Sequence, residues 1–166
     1  MDKKRVIMIS VMIFTILELI LCIFINTNLY KGVFNTGILV PILVLQVVFT
    51  YNFLRDRLKT KWPKLWVFIF LSISIILFVV GKPTYTFKQA EKLVMEEYGH
   101  DITILDNGKD NYRDTVPIYT EEYRFFIRDR DYHFKGVDKT KEYRYFLVNP
   151  RTGKVSEMSQ PYWHGS

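Results

Sequence analysis

The 166-residue sequence predicts a two-part membrane protein: three transmembrane helices, then a small α+β domain with one helix packed on an antiparallel sheet of three or four strands. Residues 1–81 contain three long apolar runs, whereas residues 82–166 hold most of the charged side chains. The formal net charge of +6 resides wholly in the first part. That part has nine Lys/Arg against three Asp/Glu, while the second has fourteen of each sign. Beyond residue 86 the apolar pattern becomes first helical and then alternating, as a helix followed by strands requires. The boundary is expected at 81/82.

The first span is predicted over residues 6–25. Twenty helical residues reach about 30 Å, the thickness of the hydrocarbon core. Fourteen of the twenty are Val, Ile, Leu or Phe. They favour insertion by roughly 4–8 kcal/mol, against about 3 kcal/mol for the acidic Glu18. Lys3, Lys4 and Arg5 could also open a signal peptide. The run is longer than such a core, however, and Asn26-Thr27-Asn28 offers no small-residue cleavage site, so an uncleaved helix is expected. The second span is predicted over 33–54, where Pro41 should leave the Gly37 carbonyl without a helical donor. The third, over 65–81, follows Trp62, Pro63 and Lys64, with Trp66 in its first turn. These side chains suit a helix start at the lipid–water interface.

Orientation follows from the short connections. The N-terminus carries Lys3, Lys4 and Arg5, and residues 55–64 carry five cations, whereas residues 26–32 carry only Lys31. The positive-inside bias places the N-terminus and the second connection in the cytoplasm. A multi-pass cell-membrane protein with residues 82–166 outside the cytoplasm is therefore expected. The excess charge belongs to the membrane part, so it gives no evidence for nucleic-acid binding.

Four of the polar residues inside the apolar runs stand out: Glu18, Gln46, Ser72 and Ser74. Counted at about 1.5 Å per residue, Gln46, Ser72 and Ser74 lie at similar depth and Glu18 nearer the outer side. They are expected to join the helices by hydrogen bonds, with Glu18 protonated within the bundle. Docking of a partner helix and ion coupling are the alternatives. A lone carboxyl with no second acid, histidine or arginine in the spans makes a poor relay.

In the second part, Thr86-Phe87-Lys88-Gln89 matches a capping box, and Phe87, Ala90, Leu93, Val94 and Tyr98 share a helical face that ends at Gly99. Strands are expected at 102–105, 119–128, 143–149 and 154–158, with loops at 109–118 and 129–141. Pro150-Arg151-Thr152-Gly153 is expected as a tight turn. Nine tyrosines in this part suit a half-buried sheet or a protein-contact surface.

The opening helix Phe87–Val94 and the closing hairpin Tyr145–Val155 resemble a PepSY domain over roughly residues 84–160. The family-like hairpin positions are Asn149, Pro150, Thr152 and Gly153, with Asn149 where the family usually has Asp. The resemblance implies a non-catalytic domain that binds or inhibits a protein or peptide partner outside a bacterial cell membrane. It carries no catalytic residues to transfer.

The chain has one cysteine, Cys22, so no internal disulfide can form. His100, His133 and His164 are far apart and read as solvated. Asp106, Asp110 and Asp114 lack calcium-loop spacing. No nucleophile, phosphate-loop or metal-ligand motif occurs. The expectation is a non-enzymatic protein without a cofactor, whose partners are membrane lipid and a protein or peptide. The alternative is a small transport or channel subunit, or accessory protein, acting through its helices.

Overall fold

Two consecutive residues with positive φ, Lys31 at 51° and Gly32 at 77°, end the first helix and turn the chain. The computed structural model describes residues 3–55, 63–99, 102–105, 113–118 and 125–162. The helices are α1 (Lys3–Tyr30), α2 (Leu39–Leu54), α3 (Pro63–Gly81) and α4 (Phe87–Tyr98). The strands are β1 (Thr103–Ile104), β2 (Thr115–Pro117), β3 (Arg130–Val137), β4 (Tyr143–Val148) and β5 (Val155–Met158). The chain divides into two units, Met1–Ile25 with Asn35–Lys82, and Asn26–Phe34 with Pro83–Ser166.

In the first unit α2 packs along α3, with Phe49 and Phe70 rings 4.7 Å apart. Ile13, Leu17 and Phe24 of α1 remain 55–63% exposed, so α1 is not the buried core helix of a globular unit. α1 and the segment Thr36–Leu54 are long and apolar enough to cross a membrane. Where a third span was expected at 65–81, α3 offers a shorter apolar stretch, Phe68–Gly81.

The expected start of the second span at residue 33 is corrected. A 3-10 turn, Thr36–Ile38, precedes α2, which begins at Leu39. Pro41 therefore falls in the first turn, where a missing amide hydrogen disrupts no helical bond and leaves no kink. The Leu39 amide turns back to the Gly37 and Thr36 carbonyls.

Val33 and Phe34 instead enter the second unit, each 0% exposed. Asn26 makes this possible. Its Nδ2 donates to the Phe34 carbonyl at 2.9 Å, and its Oδ1 accepts from the Phe34 amide at 3.0 Å. The Val33 carbonyl accepts from the Arg128 amide at 2.8 Å, and Phe34 forms a lone antiparallel bridge with Ile127. The connection between the first two helices is thus built into the α+β unit.

Among the described residues the sheet has five antiparallel strands, one more than the upper expectation. The order is β1-β3-β4-β5, with β2 pairing β3 beside β1. The expected loop at 129–141 is corrected, because it contains β3, the longest strand, which pairs with β1, β2 and β4. Part of the expected loop at 109–118 is β2. The expected strand at 119–128 falls largely outside the described residues; of its described part, Ile127 makes the bridge to Phe34.

α4 lies on the face of the sheet that carries Tyr132, Phe134, Phe146, Val148 and Val155. Its start is fixed by the capping box. The Thr86 amide donates to Gln89 Oε1 at 2.8 Å, and the Gln89 amide donates to Thr86 Oγ1 at 3.3 Å. Phe87 stacks on Phe134 at 4.7 Å, and Tyr98 leans on Phe146 at 4.8 Å. Burying a phenylalanine such as Phe134 or Phe146 stabilises by roughly 1.5–3 kcal/mol. The Tyr132 hydroxyl donates to the Tyr85 carbonyl at 3.0 Å, and burial raises its pKa.

Gly136 sits within β3 because Ile102 packs against its Cα. A Cβ there would stand 2.5 Å from Ile102 Cγ2, a branched methyl close to its own backbone. Gly136→Ala is expected to destabilise the second unit by about 1–3 kcal/mol through overpacking. Denaturant unfolding of the full chain in detergent, followed by tyrosine and tryptophan fluorescence, checks this. An unchanged midpoint would show that Ile102 is not seated on β3.

Candidate functional site

On α1 the buried positions Val11, Thr15 and Glu18 recur at steps of four and three. On α2 Leu39, Leu43, Gln46 and Thr50 recur at steps of four, three and four. This spacing forms a coiled-coil-like seam, and it brings polar side chains to the interior of the helical unit. Glu18 lies at its centre. Gln46 Nε2 donates to Glu18 Oε2 at 2.9 Å, and Ser74 Oγ of α3 donates to Glu18 Oε1 at 2.8 Å. Glu18 is 7% exposed, Gln46 0% and Ser74 2%. One carboxyl therefore ties three helices.

Gln46 Oε1 is buried with no hydrogen-bond partner among the described residues. Beside the Glu18 knot lies a cavity of about 270 Å³, edged by Glu18 and Ser74 and otherwise lined by apolar side chains and Cys22, among them Phe14, Leu39 and Phe78.

Of the four polar residues singled out in the apolar runs, Glu18, Gln46 and Ser74 come together. Ser72 does not, because its hydroxyl donates to the Phe68 carbonyl at 3.0 Å on the exposed side of its own helix. Sequence reading missed Thr15 and Thr50. Their hydroxyls donate one turn back, to the Val11 carbonyl at 2.8 Å and the Gln46 carbonyl at 2.9 Å. The three-and-four spacing would have revealed both, since each continues the seam.

In the second unit the hairpin positions form one turn between β4 and β5. Asn149 Oδ1 accepts from the Arg151 and Thr152 amides at 2.9 and 3.0 Å, and the Asn149 carbonyl accepts from the Gly153 amide at 2.9 Å. Gly153 takes φ 73°, and the Pro150 carbonyl accepts from the Tyr85 amide at 3.0 Å. Thr152 Oγ1 accepts from the Lys154 amide at 3.3 Å. These bonds shape the turn and tie it to the start of α4. They present no reactive group.

The expectation of a solvated His133 is corrected. His133 lies in the middle of β3 at 0% exposure, with Tyr145 stacked beside it at 6.3 Å. Burial pushes its pKa below the ordinary 6.5, opposed by a hydrogen bond to the Arg113 backbone. His100 and His164 lie outside the described residues, as do Asp106 and Asp110. No group of three or more His, Cys, Asp or Glu suited to a metal ion occurs among the described residues. At the sheet surface, Arg144 holds Glu157 through two hydrogen bonds, one of 2.6 Å. That pair raises the Arg144 pKa and lowers that of Glu157.

Comparison with models of known families, with curated proteins and with solved structures found no match to this chain.

Glu18→Leu removes the acceptor of both interhelical bonds and should destabilise the helical unit by about 1–3 kcal/mol. Glu18→Gln keeps one acceptor oxygen and should lose less than half of that. Thermal unfolding in detergent, with abundance in membranes as a second readout, decides; equal stability of Glu18→Leu and the parent would refute the knot. For His133, the unfolded chain takes up a proton near pH 6.5 while the folded chain resists it. Its contribution is therefore fully present above about pH 6.5 and declines as pH falls below that. The unfolding midpoint of the parent should drop between pH 7.5 and 5.5 by more than that of His133→Gln. Equal drops would show that His133 does not carry the effect.

Proposed function

We propose that this chain is a non-enzymatic, three-span protein of a bacterial cell membrane. Its N-terminus is cytoplasmic, and its PepSY-like α+β unit binds a protein or peptide partner in the envelope, as a regulator of a peptidase or a sensor. The observation that carries the reading is the packing of Val33 and Phe34, from between α1 and α2, in the same unit as residues 83–166. With α1, α2 and α3 each crossing the bilayer, both segments emerge on one side, as three crossings demand. The unit is then held at the membrane surface by two points of attachment rather than by a long linker.

Two features support partner binding. β5 is the last strand of the sheet and pairs only with β4 among the described strands, which leaves an edge for an extended peptide to add to. The Tyr143 side chain is 59% exposed on the neighbouring strand, and tyrosine is enriched in protein contacts. The resemblance of Phe87–Val94 and of the Asn149–Gly153 hairpin to PepSY domains points the same way.

A second reading, a small transport or channel subunit or accessory protein, is favoured by one observation. Glu18, Gln46 and Ser74 meet beside a cavity within the helical unit. Removing residues 83–166 would not separate the two readings cleanly, since it would uncover Val33 and Phe34.

Protease added to sealed cells should digest the tyrosine-rich part and spare residues 55–64. Cross-linking from exposed positions such as Ser156 should then capture an envelope protein or peptide that competes for β5. Digestion of 55–64 with protection of the second unit would overturn the topology. A phenotype that follows Glu18 alone, with no partner captured, would favour the second reading.

A further inference from the structure

The second unit is neutral from residue 82 onward, yet one pocket in it is not. It measures about 450 Å³ and is lined by Thr27 and Lys31 from the α1 end and by Arg113, Asp114, Thr115 and Arg130. Among the described residues that line it, three are cations and one is a carboxylate. Lys31 Nζ stands 3.0 Å from Asp114 Oδ2, with both side chains about one third exposed, so that pair is open to competition from another anion. Arg130 is fixed in direction. Its Nε donates to Thr115 Oγ1 at 2.9 Å and its Nη2 to the Thr115 carbonyl at 2.8 Å, which occupies two of its five N–H donors and pins the planar group against β2. Burial first, and then the nearby Arg113 and Arg128, lower the Arg130 pKa. The neighbouring charge is of the same sign, which raises the local positive potential.

Position adds a second argument. Thr27 and Lys31 follow the apolar run of α1, which ends at Ile25. Thr27 lies two residues past it on the same helix, roughly 3 Å along its axis, and Lys31 follows the helix end at Tyr30. The headgroup layer occupies about 5–8 Å outside the hydrocarbon on each side. The pocket holds the volume of roughly fifteen waters, enough for a phosphate with its substituent.

We propose that Lys31, Arg113 and Arg130 form a binding site for a phosphate group, presented to the pocket as the phosphodiester of an anionic lipid headgroup. Guanidinium groups match phosphate oxygens in pairs, and the lysine adds a mobile point charge that leaves Asp114 on binding. A soluble phosphate would use the same donors. The site is separate from the β5 edge, and only its lipid source rests on the reading that α1 crosses the bilayer.

The test uses the full chain in an uncharged detergent, titrated with dihexanoyl phosphatidylglycerol, with dihexanoyl phosphatidylcholine and with inorganic phosphate, and followed by thermophoresis. Saturable binding of phosphatidylglycerol that weakens with added salt is expected, with much weaker binding of the zwitterion. Arg113→Gln and Lys31→Asn should each weaken it roughly tenfold. Asparagine is chosen because it tolerates the positive φ of Lys31. Asp114→Asn should tighten binding, a gain that a damaged fold cannot produce. Inorganic phosphate that binds as tightly and displaces the lipid would support the phosphate site and assign it to a soluble source. Absence of saturable binding by either phosphate probe, or binding indifferent to all three substitutions, would overturn the proposal. The protease experiment in sealed cells reads topology independently, so failure of either idea can be told from failure of the other.

Discussion

The Asn26 side chain holds the Phe34 backbone by both its N–H and its C=O. An extended dipeptide without strand neighbours on both sides leaves amide and carbonyl groups unmet, and burying such groups costs about 1–3 kcal/mol each. The two-pronged amide removes that penalty at Phe34, and the Arg128 amide satisfies the Val33 carbonyl. Val33 and Phe34 can then be wholly buried although neither belongs to a strand or a helix. Positive φ at Lys31 and Gly32 aims them there. Asn26 lies on α1, so a residue in the last turns of the first helix decides how the α+β unit closes. The unit is consequently assembled from two stretches of chain separated by α2 and α3.

The helical unit is organised by the same economy of polar groups. Among the described residues, each of its buried hydroxyls has an acceptor. Thr15 and Thr50 bond one turn back on their own helices, whereas Ser74 bonds across to Glu18. Within an apolar setting a local bond satisfies a hydroxyl but gives no information about a neighbour. A bond to a carboxyl on another helix fixes both depth and rotation. Glu18, with two donors from two helices, is therefore the element of specificity in a bundle whose other contacts, such as Phe49 on Phe70, are apolar.

Legibility in the sequence followed locality. α4 and the Asn149–Gly153 turn were readable because capping boxes and Asx-type turns are closed within four or five residues. The three polar residues that meet inside the helices were readable as outliers in apolar runs, although their partners were not. β3 was illegible. Arg130, Asp131, His133, Lys135 and Gly136 have the composition of a loop, and no local signal says that His133 will be 0% exposed. The strand exists because β1, β2 and β4 pair with it and because Gly136 lets Ile102 approach, which are long-range facts. Val33 and Phe34 misled for the opposite reason. They are apolar and adjoin an apolar run, so hydropathy alone joins them to the helix that they only precede.

The same limit applies to charge. Residues 82–166 balance to zero, and the excess charge elsewhere gave no evidence for nucleic-acid binding. The positive pocket escapes the average in two ways. Lys31 comes from the other half of the chain, and Arg113 and Arg130 are brought to one side of the sheet by the pairing of β2 with β3, with Asp114 as the acid beside them, while Glu157 is held on Arg144 and Asp138 in its own turn. A net charge is a sum over sequence, whereas a site responds to potential within about a Debye length, roughly 8–10 Å. In a chain whose domains are closed by segments from far away, exclusions drawn from segment composition hold for the segment and fail for the surface it helps to build.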